Sequence, residues 1–162
     1  MDKRRPGKPL KQAIVDASIL IKIVLPEKSE ADIKKALALF KHFTDKRLTI
    51  ILPSFWSYEV GNTLIRKLTL ELFEEKYKFL LSQPFQIYSF NILENVTIGK
   101  FAKLHKVTFY DASYHLLAKF IGSIFITADK NYFQKFKKDK NIALLENFKY
   151  NSISKLALDR IP

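Results

Sequence analysis

The feature that most constrains the fold is the alternation of short apolar segments with longer helical ones. Five short segments are rich in the aliphatic, aromatic and β-branched residues that strands favour: AIVDAS, LTIILP, FQIYSF, SIFIT and IALLE. Amphipathic helical stretches separate them. Parallel strands need crossover connections, and right-handed crossovers cover the faces of the sheet. We therefore predict an α/β fold, a three-layer α/β/α sandwich with a central, mainly parallel five-stranded sheet.

Length and composition favour one compact domain. The chain has 162 residues, 48% of them hydrophobic, and neither a linker nor a low-complexity tract divides it. We predict a basic N-terminal tail at residues 1–11, one domain at residues 12–148 and a C-terminal extension at residues 149–162. No segment approaches the about 20 apolar residues that a membrane span needs, so we expect a cytoplasmic protein with no membrane partner.

Capping residues predict where the helices begin. Asn91, with Glu94 three residues later, has the pattern of a capping box, and Gly122 is the type of residue that ends a helix. Pro26 is predicted to end the first helix. The predicted first residues or N-caps of the other helices are Ser18, Ser29, Ser54, Thr69 and Asp111.

Four acidic residues lie where a site is expected in such a fold. Asp16 and Asp129 follow the carboxyl ends of two apolar strands, the edge at which open parallel sheets bind ligands. Asp111 opens a helix. Glu59 lies early in another helix among aromatic residues, where a buried carboxylate needs a cation or hydrogen bonds to stay charged. Taken singly, each also has a structural explanation: a turn for Asp16 and Asp129, an N-cap for Asp111 and a helix first turn for Glu59.

The charge balance indicates a polyanionic partner. Lys and Arg number 28 against 16 Asp and Glu, a net charge of +12, and basic residues cluster at 3–8, 100–106 and 135–140. Nucleic acid is the leading candidate and an anionic membrane surface the second, although each run is also an ordinary solvated face. An acidic cluster in such a basic chain is expected of a metal-dependent phosphodiesterase. Oxygen ligands hold Mg²⁺ or Mn²⁺, and lysines hold the phosphates of the substrate.

Other kinds of site are not favoured. The chain has no cysteine, which excludes disulfides, zinc-thiolate centres and thiol nucleophiles. His42, His105 and His115 lack metal-ligand spacing and are expected at surface or half-buried positions. Ser18 has no evident histidine base for a serine hydrolase, and there is no glycine-rich phosphate loop.

Four segments of the sequence resemble, in order, the four motifs of PIN-domain nucleases, and they are most similar to those of VapC-type toxins: IVDASILIKI, PSFWSYEVGNTL, TFYDASYHLLAKF and FITADKNYF. The resemblance spans residues 14–148. It implies that Asp16, Glu59, Asp111 and Asp129 are the acidic residues that bind Mg²⁺ or Mn²⁺ and carry catalysis.

The resemblance also implies a supporting set of polar side chains. Ser18 and Thr127 match hydroxyls that orient the carboxylates, and Asn62 matches a polar residue one turn after the glutamate. Lys130, immediately after Asp129, is a candidate for a phosphate contact and equally for a solvated surface lysine.

By this resemblance the chain is a divalent-metal-dependent endoribonuclease that hydrolyses RNA phosphodiester bonds, the toxin of a type II toxin–antitoxin pair. A small cognate antitoxin and a homodimer are the implied partners, and the apolar helical faces around residues 65–81 are candidates for the dimer contact, although such faces more often belong to the core. Two alternatives stay open. One is a PIN nuclease of RNA processing or DNA repair without an antitoxin, and the other is a non-catalytic nucleic-acid-binding module.

Overall fold

The structure, a computed structural model, describes residues 11–25 and 30–152. Within those ranges the strands are β1 (Lys11–Val15), β2 (Leu48–Pro53), β3 (Gln86–Tyr88), β4 (Ile124–Thr127) and β5 (Ile142–Leu144). The helices are α1 (Ala17–Val24), α2 (Glu30–Thr44), α3 (Trp56–Lys67), α4 (Leu70–Leu81), α5 (Ile92–His105), α6 (Phe109–Phe120) and α7 (Lys130–Phe136). Two 3-10 turns, Leu145–Asn147 and Tyr150–Ser152, follow β5.

The strands form one sheet in the order β3-β2-β1-β4-β5, and every neighbouring pair is parallel. From the central strand β1 the chain moves outward through β2 to β3, and it then returns to β4 and β5 on the other side. Right-handed crossovers place α1 to α4 over one face and α5 to α7 over the other, so the predicted α/β/α sandwich is confirmed. The reversal of direction creates a topological switch point between the carboxyl ends of β1 and β4.

The central strands form the core. Ile14, Val15, Leu52 and Ile126 have no exposed surface. Helices cover both faces of the sheet, so strand residues are buried on both sides and these strands read as nearly continuous apolar runs. This is why the apolar segments predict the strands well.

Three of the predicted helix signals are present in the described residues. Thr69 caps α4, the Asn91–Glu94 capping box begins α5, and Gly122 follows α6 with a left-handed φ of 67°. Ser54 as the N-cap of α3 is wrong, because no side chain caps the start of that helix. The predicted helix end at Pro26 and helix start at Ser29 lie outside the described residues.

The predicted tail and extension fall mainly outside the described ranges, apart from residues 11 and 149–152. Tyr150, in the predicted extension, packs against the domain. Its ring stacks on His42 with the ring centres 3.9 Å apart, and its hydroxyl donates to the carbonyl of Arg47 at 2.7 Å. In the part of the chain that is described, no helix has the length and apolar character to cross a membrane.

Candidate metal centre

Asp16 and Asp129 lie at the switch point. They follow the adjacent strands β1 and β4, and the backbone N–H of Asp16 donates to the carbonyl of Ile126 at 3.0 Å. Both also cap helices: the Asp16 carboxylate accepts from the N–H of Ser18 at 3.0 Å, and that of Asp129 accepts from the N–H of Tyr132 at 2.9 Å. Each side chain therefore has a local structural role, as the alternative interpretation expects, while it stands at the edge where such sheets bind ligands.

The hydroxyl of Thr127 connects these two acidic residues. It donates to Oδ2 of Asp16 at 2.7 Å and accepts from the N–H of Asp129 at 3.0 Å. Thr127 is fully buried at the end of β4. A buried hydroxyl with both its donor and its acceptor engaged holds its neighbours in one arrangement.

Asp111 reaches the site from α6. The N-cap of this helix is Thr108 and not Asp111, so the predicted helix start is wrong by a few residues. The Thr108 hydroxyl accepts from the N–H of Asp111 at 3.0 Å and donates to its Oδ2 at 2.6 Å. The carboxylate of Asp111 is thus held at the end of the helix and is half-buried.

Glu59 reaches the site from α3. It is half-buried, and its Oε2 accepts from the hydroxyl of Tyr114 at 2.9 Å. Tyr114 is itself buried, with its ring against those of Phe55 and Phe125. Glu59 is therefore not an ordinary surface glutamate, because a rigid tyrosine on another helix fixes its position.

All four acidic residues line one open cleft of about 390 Å³. Its wall also includes Ser18 and Lys22 on α1 and Thr63 and Lys67 on α3. The cleft brings together side chains that are as much as 113 residues apart in the sequence, from Asp16 to Asp129.

The carboxylates are costly to ionise together. Burial, first of all, raises the pKa of Asp16, and the charge of Asp111 raises it further, while hydrogen bonds from the Thr127 hydroxyl and the Ser18 backbone N–H oppose the rise. Burial raises the pKa of Glu59 to about 7, with a hydrogen bond from Tyr114 opposing and the charges of Asp16 and Asp111 adding to the rise. The pKa of Asp111 is raised by burial and, in part, by the charge of Asp129, against the hydrogen bond from Thr108. A bound cation would remove this mutual repulsion.

The donor set fits a hard divalent cation. Among the described residues that line the cleft there are four carboxylates and no sulfur or imidazole ligand, and carboxylate oxygens are the donors that Mg²⁺ and Mn²⁺ prefer. Ser18 Oγ is a buried polar atom without a hydrogen-bond partner beside them. Among residues 11–25 and 30–152, however, no three or more acidic or histidine side chains already surround one point as ligands. Shared coordination of one ion by Asp16, Asp111 and Asp129 therefore stays a prediction.

Of the supporting polar residues predicted from the sequence, some lie at the cleft and others do not. Ser18 lines the cleft and Thr127 contacts Asp16, whereas Asn62 is exposed and is not part of the cleft wall. Lys130 is exposed and forms an ion pair with Glu146 at 2.8 Å. No contact in the described part of the structure supports a role at the site for Asn62 or Lys130.

Four residues near the site were not predicted from the sequence: Tyr114, Thr63, Lys22 and Lys67. Helical spacing carried a signal for most of them. Thr63 and Lys67 follow Glu59 at intervals of four residues, and Tyr114 follows Asp111 by three, so each lies on the same helical face as an acidic residue.

Comparison with known proteins agrees with this architecture. The structure is similar to that of PAE2754 from Pyrobaculum aerophilum, with 22% identity, a TM-score of 0.59 and coverage of 91% of this chain and 96% of that one. A toxin–antitoxin complex from Klebsiella pneumoniae contains a chain with 16% identity and a TM-score of 0.59, covering 82% of this chain and 97% of that one.

The Mycobacterium tuberculosis toxin VapC20, which cleaves the sarcin-ricin loop, matches with 12% identity and a TM-score of 0.54, covering 68% of this chain and 84% of that one. At these identities the likeness shows the fold alone. No match was found among curated proteins. The model of the PIN domain matches residues 13–139, most of the chain and all four acidic positions. The chain therefore belongs to the PIN domain family, the nuclease family that its four motifs resemble.

Proposed function

We propose that this protein is a divalent-metal-dependent endoribonuclease and the toxin of a type II toxin–antitoxin pair. The observation that carries the proposal is the cleft at the switch point, where Asp16, Glu59, Asp111 and Asp129 stand together in a strongly basic protein. Membership of the PIN domain family supports nuclease activity. The similarity to VapC20, which is a toxin that cleaves RNA in the sarcin-ricin loop, supports RNA as the substrate.

Each part of the cleft has a role in this proposal. Asp16, Asp111 and Asp129 are the main ligands of Mg²⁺ or Mn²⁺, and Glu59 completes the set or orients the attacking water. When bound, the ion supplies charge neutralisation at the phosphate and a water of lowered pKa. Thr127 keeps the Asp16 carboxylate in place, and Tyr114 does the same for Glu59. Lys22, on the cleft wall, is suited to bind a phosphate of the substrate.

The proposed protein partners are an antitoxin and a second copy of the chain. Structural similarity to a toxin–antitoxin complex supports the antitoxin, whose tail would lie along the acidic cleft with a basic side chain toward the carboxylates. On α3 and α4, large apolar side chains are exposed rather than in the core, which supports a dimer contact there: Ile65, Leu70, Leu72, Phe79 and Leu81.

Cleavage of structured RNAs by the purified protein, with Mn²⁺ or with excess chelator, tests the nuclease. We expect cleavage with Mn²⁺, none with chelator, and a loss of roughly 100-fold for Asp111→Asn, because the site loses a ligand charge. Asp45→Asn is the matched control, since Asp45 pairs with Lys41 on the surface outside the cleft. Cleavage that persists in chelator or in Asp111→Asn would contradict the proposal.

Induced expression in a bacterial host tests the toxin role. Wild-type protein should arrest growth, Asp111→Asn should not, and a small DNA-binding protein encoded beside this gene should relieve the arrest when it is co-expressed. Efficient RNA cleavage in vitro without growth arrest would favour a PIN nuclease of RNA processing instead.

A further inference from the structure

Two basic segments that are far apart in the sequence meet on one face of the structure. The ammonium of Lys135 on α7 donates to the carbonyls of His105, at 3.0 Å, and Lys106, at 3.4 Å, at the end of α5. Below this contact the ring of Phe136 packs against Phe101, with the ring centres 5.4 Å apart. The basic runs at 100–106 and 135–140 therefore form one basic face.

A second open groove, also of about 390 Å³, lies on this face and ends at the acidic residues. Lys106, Lys135 and Asn131 line one part of it, and Asp111 and Asp129 line the other. The same two acidic residues also line the acidic cleft. The groove is thus continuous with the proposed cleavage site, and Lys22 and Lys67 line the acidic cleft but not this groove.

The lysines of the groove are suited to a phosphate ligand. Lys106 and Lys135 are exposed, and an ammonium has three N–H donors, so Lys135 keeps one after its two carbonyl contacts. The carbonyls at the end of α5 hold this ammonium in place, which lowers the entropy cost of ordering it around a ligand. Asn131 adds an exposed amide.

We propose that Lys106, Lys135 and Asn131 bind neighbouring backbone phosphates of the RNA strand that leaves the cleavage site. This proposal rests on the proposed function, since the strand is the substrate of the acidic cleft. Contacts of this kind read phosphates and not bases, so the groove contributes affinity and the direction of the strand without sequence preference. Lys130, on the same helix, stays with Glu146 and takes no part.

Binding of a fluorescent single-stranded RNA in chelator, followed by anisotropy over a range of salt concentrations, tests the groove without cleavage. Each phosphate contact contributes about 0.7 to the slope of log affinity against log salt. Lys106→Gln and Lys135→Gln should each lower the slope by about that amount, and single-stranded DNA of the same sequence should respond alike. Lys130→Gln, the matched control on α7, should leave the slope nearly unchanged.

The possible outcomes separate the two proposals. Equal slopes for wild type, Lys106→Gln and Lys135→Gln would overturn the proposed phosphate contacts in the groove. An equal decrease for Lys130→Gln would also overturn them, because it would show that any lysine on this face contributes through the overall positive charge. If the groove variants bind RNA more weakly but the wild-type protein never cleaves RNA, the phosphate-binding role of the groove would be supported and the proposed nuclease activity would be refuted. Lys135 also holds the end of α5, so Lys106→Gln, which leaves that side-chain contact intact, keeps the test decisive if Lys135→Gln fails to fold.

Discussion

Replacing Glu59 with glutamine should stabilise the metal-free protein, and the gain should grow as pH rises. Burial, more than any other cause, raises the pKa of Glu59 from 4.5 to about 7, and the charges of Asp16 and Asp111 add to the rise. A group with a raised pKa in the folded state stabilises the fold while protonated and loses that contribution as pH rises through the folded pKa. The relevant window is therefore from about 4.5 to about 7.

The size of the effect follows from this difference. One pKa unit corresponds to about 1.4 kcal/mol, so the rise sets an upper limit of about 3 kcal/mol. Glu59 is only half-buried, and solvent screening reduces the expected penalty of ionisation to about 1–2 kcal/mol. Glutamine does not titrate, and its amide oxygen can still accept the hydrogen bond from Tyr114.

Urea unfolding in chelator at pH 5 and pH 8 measures this difference. The free energy of unfolding of Glu59→Gln minus that of wild type should be about 1–2 kcal/mol more positive at pH 8 than at pH 5. Groups that do not interact with Glu59 titrate alike in both proteins and cancel in this comparison. Glu71→Gln, the same substitution at an exposed glutamate of α4, is the matched control for the substitution itself. A pH-independent difference for Glu59→Gln, or a gain at pH 5 alone, would show that the ionised carboxylate of Glu59 does not destabilise the fold.

Three further predictions concern the supports of the site and of the fold. Thr127→Val removes the donor to Asp16 and an acceptor for a backbone N–H, so urea unfolding should show a loss of about 2–4 kcal/mol. Thr127→Ser keeps both bonds and should lose about 1 kcal/mol for one methyl. Burial lowers the pKa of His115 to about 4, so NMR titration should show a neutral imidazole at pH 5. The stability that neutral His115 supports above pH 6.5 should fall as the pH drops toward 4. A titration midpoint near 6.5 would contradict this prediction. Gly122→Ala should lower stability by about 1–2 kcal/mol because the φ of Gly122 is 67°. Gly99→Ala, inside α5, should raise stability by up to about 1 kcal/mol. Thermal unfolding can check both changes.

The sequence predicted the kinds of element better than their arrangement. Apolar runs identify strands because both faces of a parallel sheet are buried, and the capping box at Asn91 is a local signal that needs no tertiary information. The adjacency of β1 and β4 is different, since no pattern within Ile124–Thr127 says which strand lies beside it. The sequence therefore placed Asp16 and Asp129 at the same edge of the sheet, but it did not show that their strands are neighbours.

The details of the site depended on helix phase and on contacts between helices. Lys130 follows Asp129 directly in sequence, but it pairs with Glu146, whereas Lys67, eight residues after Glu59, lines the cleft. Position along a helix face, rather than closeness in sequence, decides such contacts. His115 shows the same limit: it is fully buried and not at the predicted surface or half-buried position, because α6 packs on the sheet and Tyr132 of α7 contacts the imidazole.

Anomalous diffraction from crystals soaked in Mn²⁺ tests whether Asp16, Asp111 and Asp129 share a divalent cation. We expect a manganese peak in the acidic cleft with oxygens of all three carboxylates among its ligands, and loss of that peak in Asp111→Asn. A peak whose ligands exclude Asp129, or a cleft without manganese in crystals that hold it elsewhere, would contradict the shared metal site.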